Sequence, residues 1–334
     1  MFKSVFCDII FAMNRKIDYK INENDTGKTV EGFLKERGYT HQVLVRLKQT
    51  DHGILRNGIW AYTNERLCKD DLITVQIVEN ECSDNIAPVN LPLDIAYEDD
   101  DIIVINKPFD MPAHPSAGNH DNTLANALMY YYGSQNKPFV YRCINRLDRD
   151  TTGLTIIAKH ALAGGILGNA VAKRAIHRTY YAVCSGCTPA CMRISAPIAR
   201  KDASTIERCV DFKRGEYAVT DFIRIKYNPD NNLSLVKLRL LTGRTHQIRV
   251  HMKHIGHTLF NDERYGGNEI LKGTHFSKYK QFVNNCFETC PRQALHAMTL
   301  GFVHPRTGEE MFFTSPLPED MTNLIDKWRN YISN

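Results

Sequence analysis

Long apolar runs and the common nucleotide-binding and hydrolase motifs are absent from this 334-residue sequence. No stretch approaches the ~20 apolar residues that a membrane-spanning helix needs. The motifs G-x-x-x-x-G-K-[ST], G-x-G-x-x-G, G-x-S-x-G and H-E-x-x-H are all missing, which disfavours nucleotide hydrolysis, dinucleotide redox chemistry, lipase-type acyl transfer and zinc proteolysis. We therefore expect no membrane partner and no nucleotide cofactor.

Glycine, proline and charge of one sign are also scarce. The chain has 20 Gly and 13 Pro, and 42 Lys and Arg against 37 Asp and Glu leave a formal net charge of +5. With 43% hydrophobic residues, this composition is typical of globular protein and excludes collagen-like and disordered chains. The length allows about two domains, and the charge permits a polyanionic partner without requiring one.

Ten cysteines are too few for a disulfide scaffold in a chain of this length. The apolar segment 5–13 contains Asp8 and is followed by basic residues, so we interpret it as mature protein rather than a signal peptide. These features predict free thiols and a cytoplasmic location. The spacing of Cys184, Cys187 and Cys191 could hold zinc, but a second C-x-x-C pair is missing, and reduced thiols are the alternative that we favour.

Two units are predicted, separated by a polar, proline-containing stretch. Residues 1–82 combine two segments of helical apolar spacing with short alternating strands, residues 83–94 form a linker, and residues 95–334 form a larger unit. In the larger unit, short apolar strands such as 102–105 and 154–158 alternate with amphipathic helices, including one near the C-terminus.

Asp148 lies between Arg146 and Arg149, just before a Thr-Thr-Gly turn. If the segment is extended, Arg146 and Asp148 share one side. Nearby guanidinium charge keeps such a carboxylate ionised and oriented, so that it can attack an electrophilic carbon or take a proton. The alternative is an aspartate that caps a turn and pairs with surface arginines.

A basic segment follows the strand predicted at 236–240. Arg244 lies at a strand-to-helix junction, where backbone N–H groups favour an anion, so it could pair with a catalytic carboxylate or a phosphate. The helix that follows has a basic surface suited to a sugar-phosphate backbone. It carries His246, Gln247, Arg249, His251, Lys253 and His254. Its histidines also permit a metal site, although no carboxylate completes the set at ligand spacing.

Several motifs occur in a fixed order along the chain. They are Asn106-Lys107-Pro108, Arg146-Leu147-Asp148, Arg178-Thr179-Tyr180, Thr242-Gly243-Arg244-Thr245-His246-Gln247-Ile248-Arg249 and Leu295-His296-Ala297. In this order they resemble the RluA-type pseudouridine synthases, which isomerise uridine to pseudouridine in RNA. The resemblance implies an α+β core with a mixed, largely antiparallel sheet flanked by helices and loops. It also implies ribosomal or transfer RNA as the substrate, and no cofactor or metal.

The same resemblance implies roles for individual residues. Asp148 corresponds to the family's essential aspartate, Tyr180 to the tyrosine of its basic-x-Tyr motif, and Arg244 to an arginine expected to pair with Asp148. Arg146 is expected to hold the target uridine flipped out of its stack. We predict further RNA contacts from Lys107, Arg178, His246, Gln247 and Arg249. Whether Asp148 attacks the ribose carbon or abstracts the 2′ hydrogen stays open, and Tyr180 could instead be an ordinary core tyrosine.

The N-terminal unit resembles a divergent copy of the small RNA-binding module that a small-subunit ribosomal protein also carries, with a small α/β fold. Arg46 and Lys48 are its main candidates for phosphate contacts, and a structural or dimerising role is the alternative. We expect a monomer. A competing function for the whole chain is an RNA-binding or ribosome-assembly protein whose isomerase activity is secondary or lost.

Overall fold

Two large β-sheets organise the computed structural model, which describes residues 13–202, 204–269 and 277–330. Most of the apolar start, residues 5–12, lies outside the described residues. Within these ranges, none of the helices is long and apolar enough to cross a membrane.

The N-terminal unit is a four-stranded antiparallel sheet covered by two helices. Its strands are β1 (Met13–Lys20), β2 (Ile54–Arg56), β3 (Ile59–Trp60) and β4 (Leu72–Glu79), in the order β1-β4-β2-β3. Its helices are α1 (Val30–Glu36) and α2 (His41–Gln49), and the hydroxyls of Thr29 and Thr40 accept hydrogen bonds from their first-turn N–H groups. The two helices and the short sheet expected from the apolar spacing are therefore present.

The larger unit is built on a nine-stranded sheet. Its strands are β5 (Ile95–Glu98), β6 (Ile102–Lys107), β7 (Thr152–Ala158), β8 (His177–Ser185), β9 (Cys191–Ser195), β12 (Val219–Asn228), β13 (Leu233–Leu240), β14 (Leu295–Val303) and β15 (Glu310–Thr314). They follow the order β5-β6-β7-β14-β8-β13-β12-β9, with β15 also paired to β14. Among the strands of the described residues, only β7 and β14 pair in parallel. A separate hairpin pairs β10 (Ile198–Arg200) with β11 (Arg208–Val210).

Five helices flank this sheet. They are α3 (Leu124–Gly133), α4 (Ala161–Ala172), α5 (Gln247–His254), α6 (Ser277–Thr289) and α7 (Glu319–Asn330). The mixed, largely antiparallel sheet with its flanking helices confirms the predicted α+β class.

The N-terminal unit is docked on the larger one through buried contacts. Leu162 of α4 is part of the N-terminal unit's hydrophobic core. The buried carboxylate of Glu79 accepts hydrogen bonds from the Arg142 guanidinium at 2.8 Å and from the Ala161 N–H at 2.7 Å. Arg15 of β1 lies 2.8 Å from the buried carboxylate of Asp101. The described structure therefore holds the two units together at a shared core.

The segment 83–94, which we predict to be a linker, runs along the larger unit. Ile86, Leu91 and Leu93 are partly buried against the apolar cluster around α3. The Val89 N–H donates to the Asn126 carbonyl at 3.1 Å. The domain boundary near residue 90 stays a prediction.

Gly153 permits the close approach of β7 and β14. Its φ is +108°, and a Cβ at this position would lie 2.2 Å from the carbonyl oxygen of Ala297. Any side chain would collide with the backbone of β14. The glycine of the Thr-Thr-Gly turn is therefore needed to bring the chain after Asp148 directly against β14.

His296, on β14, makes folding stability depend on pH. Its ring is 1% exposed and its Nδ1 lies 2.9 Å from the Thr152 hydroxyl. Burial lowers the pKa of His296 to about 4, so the unfolded chain binds a proton at a higher pH than the folded one. The contribution of the neutral His296 to the free energy of unfolding is then fully present above pH ~6.5, and it is lost as the pH falls from ~6.5 to ~4. We expect a loss on the order of 3 kcal/mol over this window in urea unfolding.

The variant His296→Asn isolates this contribution because asparagine does not titrate. Its stability should fall less steeply between pH 6.5 and 4 than that of the wild type. His41→Asn changes an exposed histidine and should keep the wild-type slope. Identical slopes in all three proteins would contradict the prediction.

Candidate active site

Three segments that are distant in sequence meet in one apolar cluster. Leu147 from the loop before β7, Tyr180 from β8 and Ile248 from α5 are all buried in it. β14 lies between β7 and β8, and β13 is the other neighbour of β8. The residues next to these anchors, Asp148 and Arg249, are thereby brought together.

Asp148 is held by Arg249. The Arg249 Nη1 lies 3.1 Å from Asp148 Oδ2, and its Nε and Nη2 each lie 2.8 Å from an oxygen of Asp262. The Asp262 side chain is 0% exposed, whereas that of Asp148 is 24% exposed. Within the described part of the chain, Asp148 Oδ1 accepts no hydrogen bond. One oxygen of the carboxylate is fixed, and the other has no hydrogen-bond donor among the described residues.

Arg249, which we predict as an RNA contact, is instead the buried cation of this site. Burial lowers its pKa, but the hydrogen bond to Asp262 and the charge of Asp148 outweigh burial and raise the pKa above its usual value. The guanidinium therefore stays charged. It forms two bonds with Asp262 in the forked geometry that carboxylates favour, and this fixes the group that orients Asp148.

The predicted pairing of Arg244 with Asp148 is wrong. Arg244 precedes α5, and its guanidinium forms an ion pair with Glu216 and donates to the Tyr217 carbonyl. Arg249 takes its place because it lies in the first turn of α5, where all residues are buried, whereas Arg244 lies before the helix and is exposed. The sequence contained this signal in the apolar residues around Arg249, and the motif match to Arg244 obscured it.

Tyr180, on β8, is near enough to Asp148 for the charge of that carboxylate to act on its phenol. Its ring is buried, and burial raises its pKa, with the charge of Asp148 adding to this effect and Arg178 opposing it. The phenol therefore stays protonated at neutral pH. Arg178, two residues earlier on the same strand, lies against Gly243 of the loop before α5. The charges of Asp148 and Arg178 therefore both act on the Tyr180 phenol, and the RNA contact predicted for Arg178 stays a prediction.

His246 also faces Asp148. Its Nε2 lies 3.9 Å from Asp148 Oδ2, and its Nδ1 lies 2.8 Å from the Tyr265 hydroxyl. Burial lowers the pKa of His246, although the charge of Asp148 opposes this. Tyr265 packs edge-on against the imidazole ring. The predicted RNA-contacting histidine lies instead within the carboxylate's surroundings.

Lys107 and Gln247 do not lie on an RNA-accessible surface, contrary to prediction. Lys107 is 1% exposed, and its ammonium donates to the carbonyls of Pro108, Met111 and Arg149 at 2.7–2.9 Å. Gln247 is 2% exposed. Its amide donates to the Val219 carbonyl and accepts from the Arg244 N–H. Backbone groups of neighbouring loops bind the polar atoms of both side chains. The two residues therefore hold these loops together and have no free polar group to offer to RNA.

Lys107 fastens the chain around Asp148, since Arg149 supplies one of its three carbonyl partners. Burial lowers its pKa to about 7, while the charges of Asp150 and Asp148 oppose this. We expect Lys107→Met to lower the free energy of unfolding by roughly 2–4 kcal/mol, because three carbonyls, of which that of Met111 is buried, lose their donor. Urea unfolding measures this loss, with the exposed Lys173→Met as control.

The same variant separates a structural lysine from a phosphate contact. A lost phosphate contact lowers the slope of log K against log salt for RNA binding by about one. We expect this slope to be unchanged in folded Lys107→Met protein. Unchanged stability together with a smaller slope would restore the RNA-contact interpretation.

The remaining predicted RNA contacts lie at the surface. Arg146 is exposed. Burial lowers the pKa of His114, and the charge of Arg146 lowers it further. Arg46 and Lys48 lie in the last turn of α2, where they form ion pairs with Glu81 and Glu31. All three cations are accessible to a polyanion, and their contact with RNA stays a prediction.

The clustered cysteines and histidines have other partners. Cys184 is buried, and the Sγ of Cys187 accepts a hydrogen bond from Arg224 at 2.8 Å. His251 is bonded to the Thr220 hydroxyl and the Ala196 carbonyl. Among the described residues, the only group of three possible metal-ligand atoms within 4.8 Å comprises Asp99, Asp101 and His304. It includes none of the clustered cysteines and none of the histidines at α5.

Comparison with known proteins identifies relatives over most of the chain. The family model for RNA pseudouridylate synthase matches residues 101–254. The chain is 42% identical over 250 residues to the ribosomal large subunit pseudouridine synthase D of Haemophilus influenzae, covering 75% of each chain. It is 37% identical over 322 residues to the protein of that name from Escherichia coli O6:H1, covering 95% of this chain and 96% of the relative. An uncharacterised RNA pseudouridine synthase of Bacillus subtilis is 36% identical over 299 residues, which are 89% of this chain and 98% of that one.

Solved structures agree at the level of the fold. Human RNA pseudouridylate synthase domain containing 4 has a TM-score of 0.54 at 20% identity, covering 72% of this chain and 95% of its own. Human RNA pseudouridylate synthase domain containing 1 has a TM-score of 0.51 at 24% identity, covering 72% and 96%. Because relatives more than 35% identical to it extend over nearly its whole length, the chain belongs to the RluA-type RNA pseudouridine synthases.

Proposed function

We propose that this protein isomerises specific uridines of large-subunit ribosomal RNA to pseudouridine, with Asp148 as the catalytic residue. The observation that carries the proposal is the partly exposed Asp148 carboxylate, whose Oδ2 is held by the buried Arg249 and whose Oδ1 has no hydrogen-bond donor among the described residues. The relatives from Haemophilus influenzae and Escherichia coli, both called ribosomal large subunit pseudouridine synthases, support the substrate class.

The reaction balances without a cofactor. The bond between N1 of uracil and C1′ of the ribose breaks, a bond between C5 and C1′ forms, the C5 proton leaves to solvent and N1 gains one. A carboxylate can open this path either by attacking C1′ or by taking the 2′ hydrogen. Asp148 Oδ1 can perform either step, and the proposal includes both mechanisms.

Tyr180 and Arg146 have supporting roles in the proposal. The neutral phenol of Tyr180 is within range of the charge of Asp148, and in this proposal it stacks on the detached uracil and acts at the C5 proton. The target nucleotide must leave its stack, because the enzyme needs both C1′ and the far edge of the base. Arg146 is exposed two residues before Asp148 and can occupy the space that the flipped base leaves.

The docked N-terminal unit supplies a second RNA contact in this proposal. Arg46 and Lys48 present cations on α2, and Trp60 and Tyr62 expose aromatic rings nearby. Cations interleaved with exposed aromatics suit single-stranded RNA, since phosphates pair with the cations and bases stack on the rings. The resemblance to a ribosomal-protein module agrees with this role.

Tritium release tests the proposal. Ribosomal RNA labelled at uridine C5 loses tritium when pseudouridine forms, so the purified wild-type protein should release it well above the Asp148→Asn background. Pseudouridine mapping of cellular RNA with and without the protein then locates the modified positions. Release at background on every cellular RNA would leave the RNA-binding or ribosome-assembly alternative. Modification of transfer RNA alone would change the substrate class.

A further inference from the structure

His246 has a backbone conformation that is unusual for a residue with a side chain. Its φ is 58°, in the left-handed region, and it caps α5 without a side-chain hydrogen bond to the helix. Such strain persists only where the surroundings enforce it, and it concentrates at functional sites. Here the conformation places the imidazole between Tyr265 and the Asp148 carboxylate.

The hydrogen bonds of Tyr265 define the proton on His246. The Tyr265 hydroxyl accepts from the Arg208 N–H at 3.0 Å and lies 2.8 Å from His246 Nδ1. Tyr265 is buried, and burial raises its pKa to about 12, so the phenol keeps its proton at neutral pH. A buried hydroxyl proton needs an acceptor, and Nδ1 is the one in position. The imidazole proton is then on Nε2, which faces Asp148.

The surroundings also keep the imidazole neutral. Burial is the largest influence on its pKa and lowers it. The charged and titratable groups that face the ring are Asp148, Arg249, Asp262, Arg264 and Tyr265. Since Arg249 already supplies a full positive charge, a second cation beside Asp148 would weaken the carboxylate as a nucleophile or base, whereas a neutral N–H orients it.

We propose that His246 is a positioning residue for Asp148, held by Tyr265 as the neutral Nε2–H tautomer so that it becomes the second hydrogen-bond donor to Oδ2. The distance of 3.9 Å is longer than a hydrogen bond, and catalytic hydrogen bonds commonly shorten when the substrate binds. Arg249 and His246 then both hold Oδ2, and Oδ1 is directed at the uridine. The catalytic consequence rests on the proposed function, whereas the tautomer does not.

Nitrogen NMR on histidine-labelled protein tests the tautomer without any activity. Wild-type His246 should show a protonated Nε2 and a bare Nδ1 at pH 7. In Tyr265→Phe, which removes the phenol proton, Nδ1 should bind a proton at a higher pH than in wild type and the two neutral tautomers should mix. His246 is assigned by loss of its signal in His246→Gln. A wild-type signal from protonated Nδ1, or an imidazolium at pH 7, would overturn the inference.

Two matched variants test the role in catalysis. In His246→Gln the side-chain amide nitrogen can take the place of Nε2 and still donate to Asp148, whereas in His246→Asn it can reach only the place of Nδ1. We expect His246→Asn to lose roughly 10- to 100-fold in the single-turnover rate of tritium release, as expected for one lost hydrogen bond to a charged group. His246→Gln should recover most of that rate, and RNA affinity should be equal in all three proteins.

The outcomes separate this inference from the proposed function. Equal rate losses in both variants, or a loss of RNA affinity instead of rate, would contradict the positioning role. Absence of tritium release from wild type would contradict the proposed function while leaving the tautomer to be decided by NMR. Circular dichroism verifies folding. Asparagine tolerates the left-handed conformation as well as histidine does and glutamine tolerates it less well, so backbone strain opposes the recovery expected in His246→Gln and cannot produce it.

Discussion

Asp148→Asn is expected to lower the rate of pseudouridine formation by roughly 10⁴-fold or more, as happens when a central catalytic group is removed. Asparagine has nearly the same shape as aspartate but is neither a nucleophile nor a base at neutral pH. Arg249 keeps its two bonds to Asp262 in this variant, so the fold should be retained. Single-turnover tritium release measures the rate, and thermal unfolding verifies the structure.

Asp110→Asn is the matched control for this prediction. Asp110 is an exposed aspartate that pairs with Arg149, the residue after Asp148. Its loss removes the same charge from the same neighbourhood, so a rate close to wild type is expected. Asp148→Asn activity within about tenfold of wild type would assign the catalytic role to another residue.

Arg249→Leu is expected to affect both stability and activity strongly. Arg249 is buried, and its removal leaves the fully buried carboxylate of Asp262 without its partner. Breaking a buried ion pair from one side costs about 3–5 kcal/mol. The variant also releases Asp148 from its only guanidinium contact among the described residues. We expect a lower urea midpoint and tritium release close to that of Asp148→Asn.

The double variant Arg249→Leu, Asp262→Leu separates the two effects. Replacing both charges with apolar groups removes the unpaired carboxylate, so much of the stability should return while the activity stays low. Arg193→Met is the surface control: its pair with Asp221 is exposed, and exposed pairs contribute little. Recovery of activity in the double variant would mean that Arg249 acts only through stability.

The secondary structure and the segments of the site were largely predictable from sequence, because they depend on local spacing. Alternation at 236–240 marked β13, and the apolar run at 102–105 marked β6. Asp148 and Tyr180 lie in ordered motifs, and the structure packs Tyr180 in one cluster with Leu147, the residue before Asp148. Local pattern and local motif therefore carried these predictions.

The partners of individual polar groups were not predictable in the same way. Arg244 and Arg249 are five residues apart in one motif, and which of them reaches Asp148 depends on how α5 packs against the sheet. Lys107 is an ordinary cation in sequence, and only the folded loops supply the three carbonyls that occupy its ammonium. Contacts that depend on tertiary packing leave no local pattern in the sequence. The sequence therefore showed only that these residues are cations, and we predicted RNA contacts for Lys107 and Arg249 on that basis.

The core that the two units share determines when the N-terminal unit can fold during synthesis. Its apolar cluster includes Leu162 and packs against Ile166, residues that the ribosome adds roughly 80 positions after the last strand of its sheet. Domains usually fold in order as the chain emerges. Here the N-terminal sheet and helices keep an uncovered apolar face until α4 leaves the exit tunnel, so the first unit to be made is completed by the second.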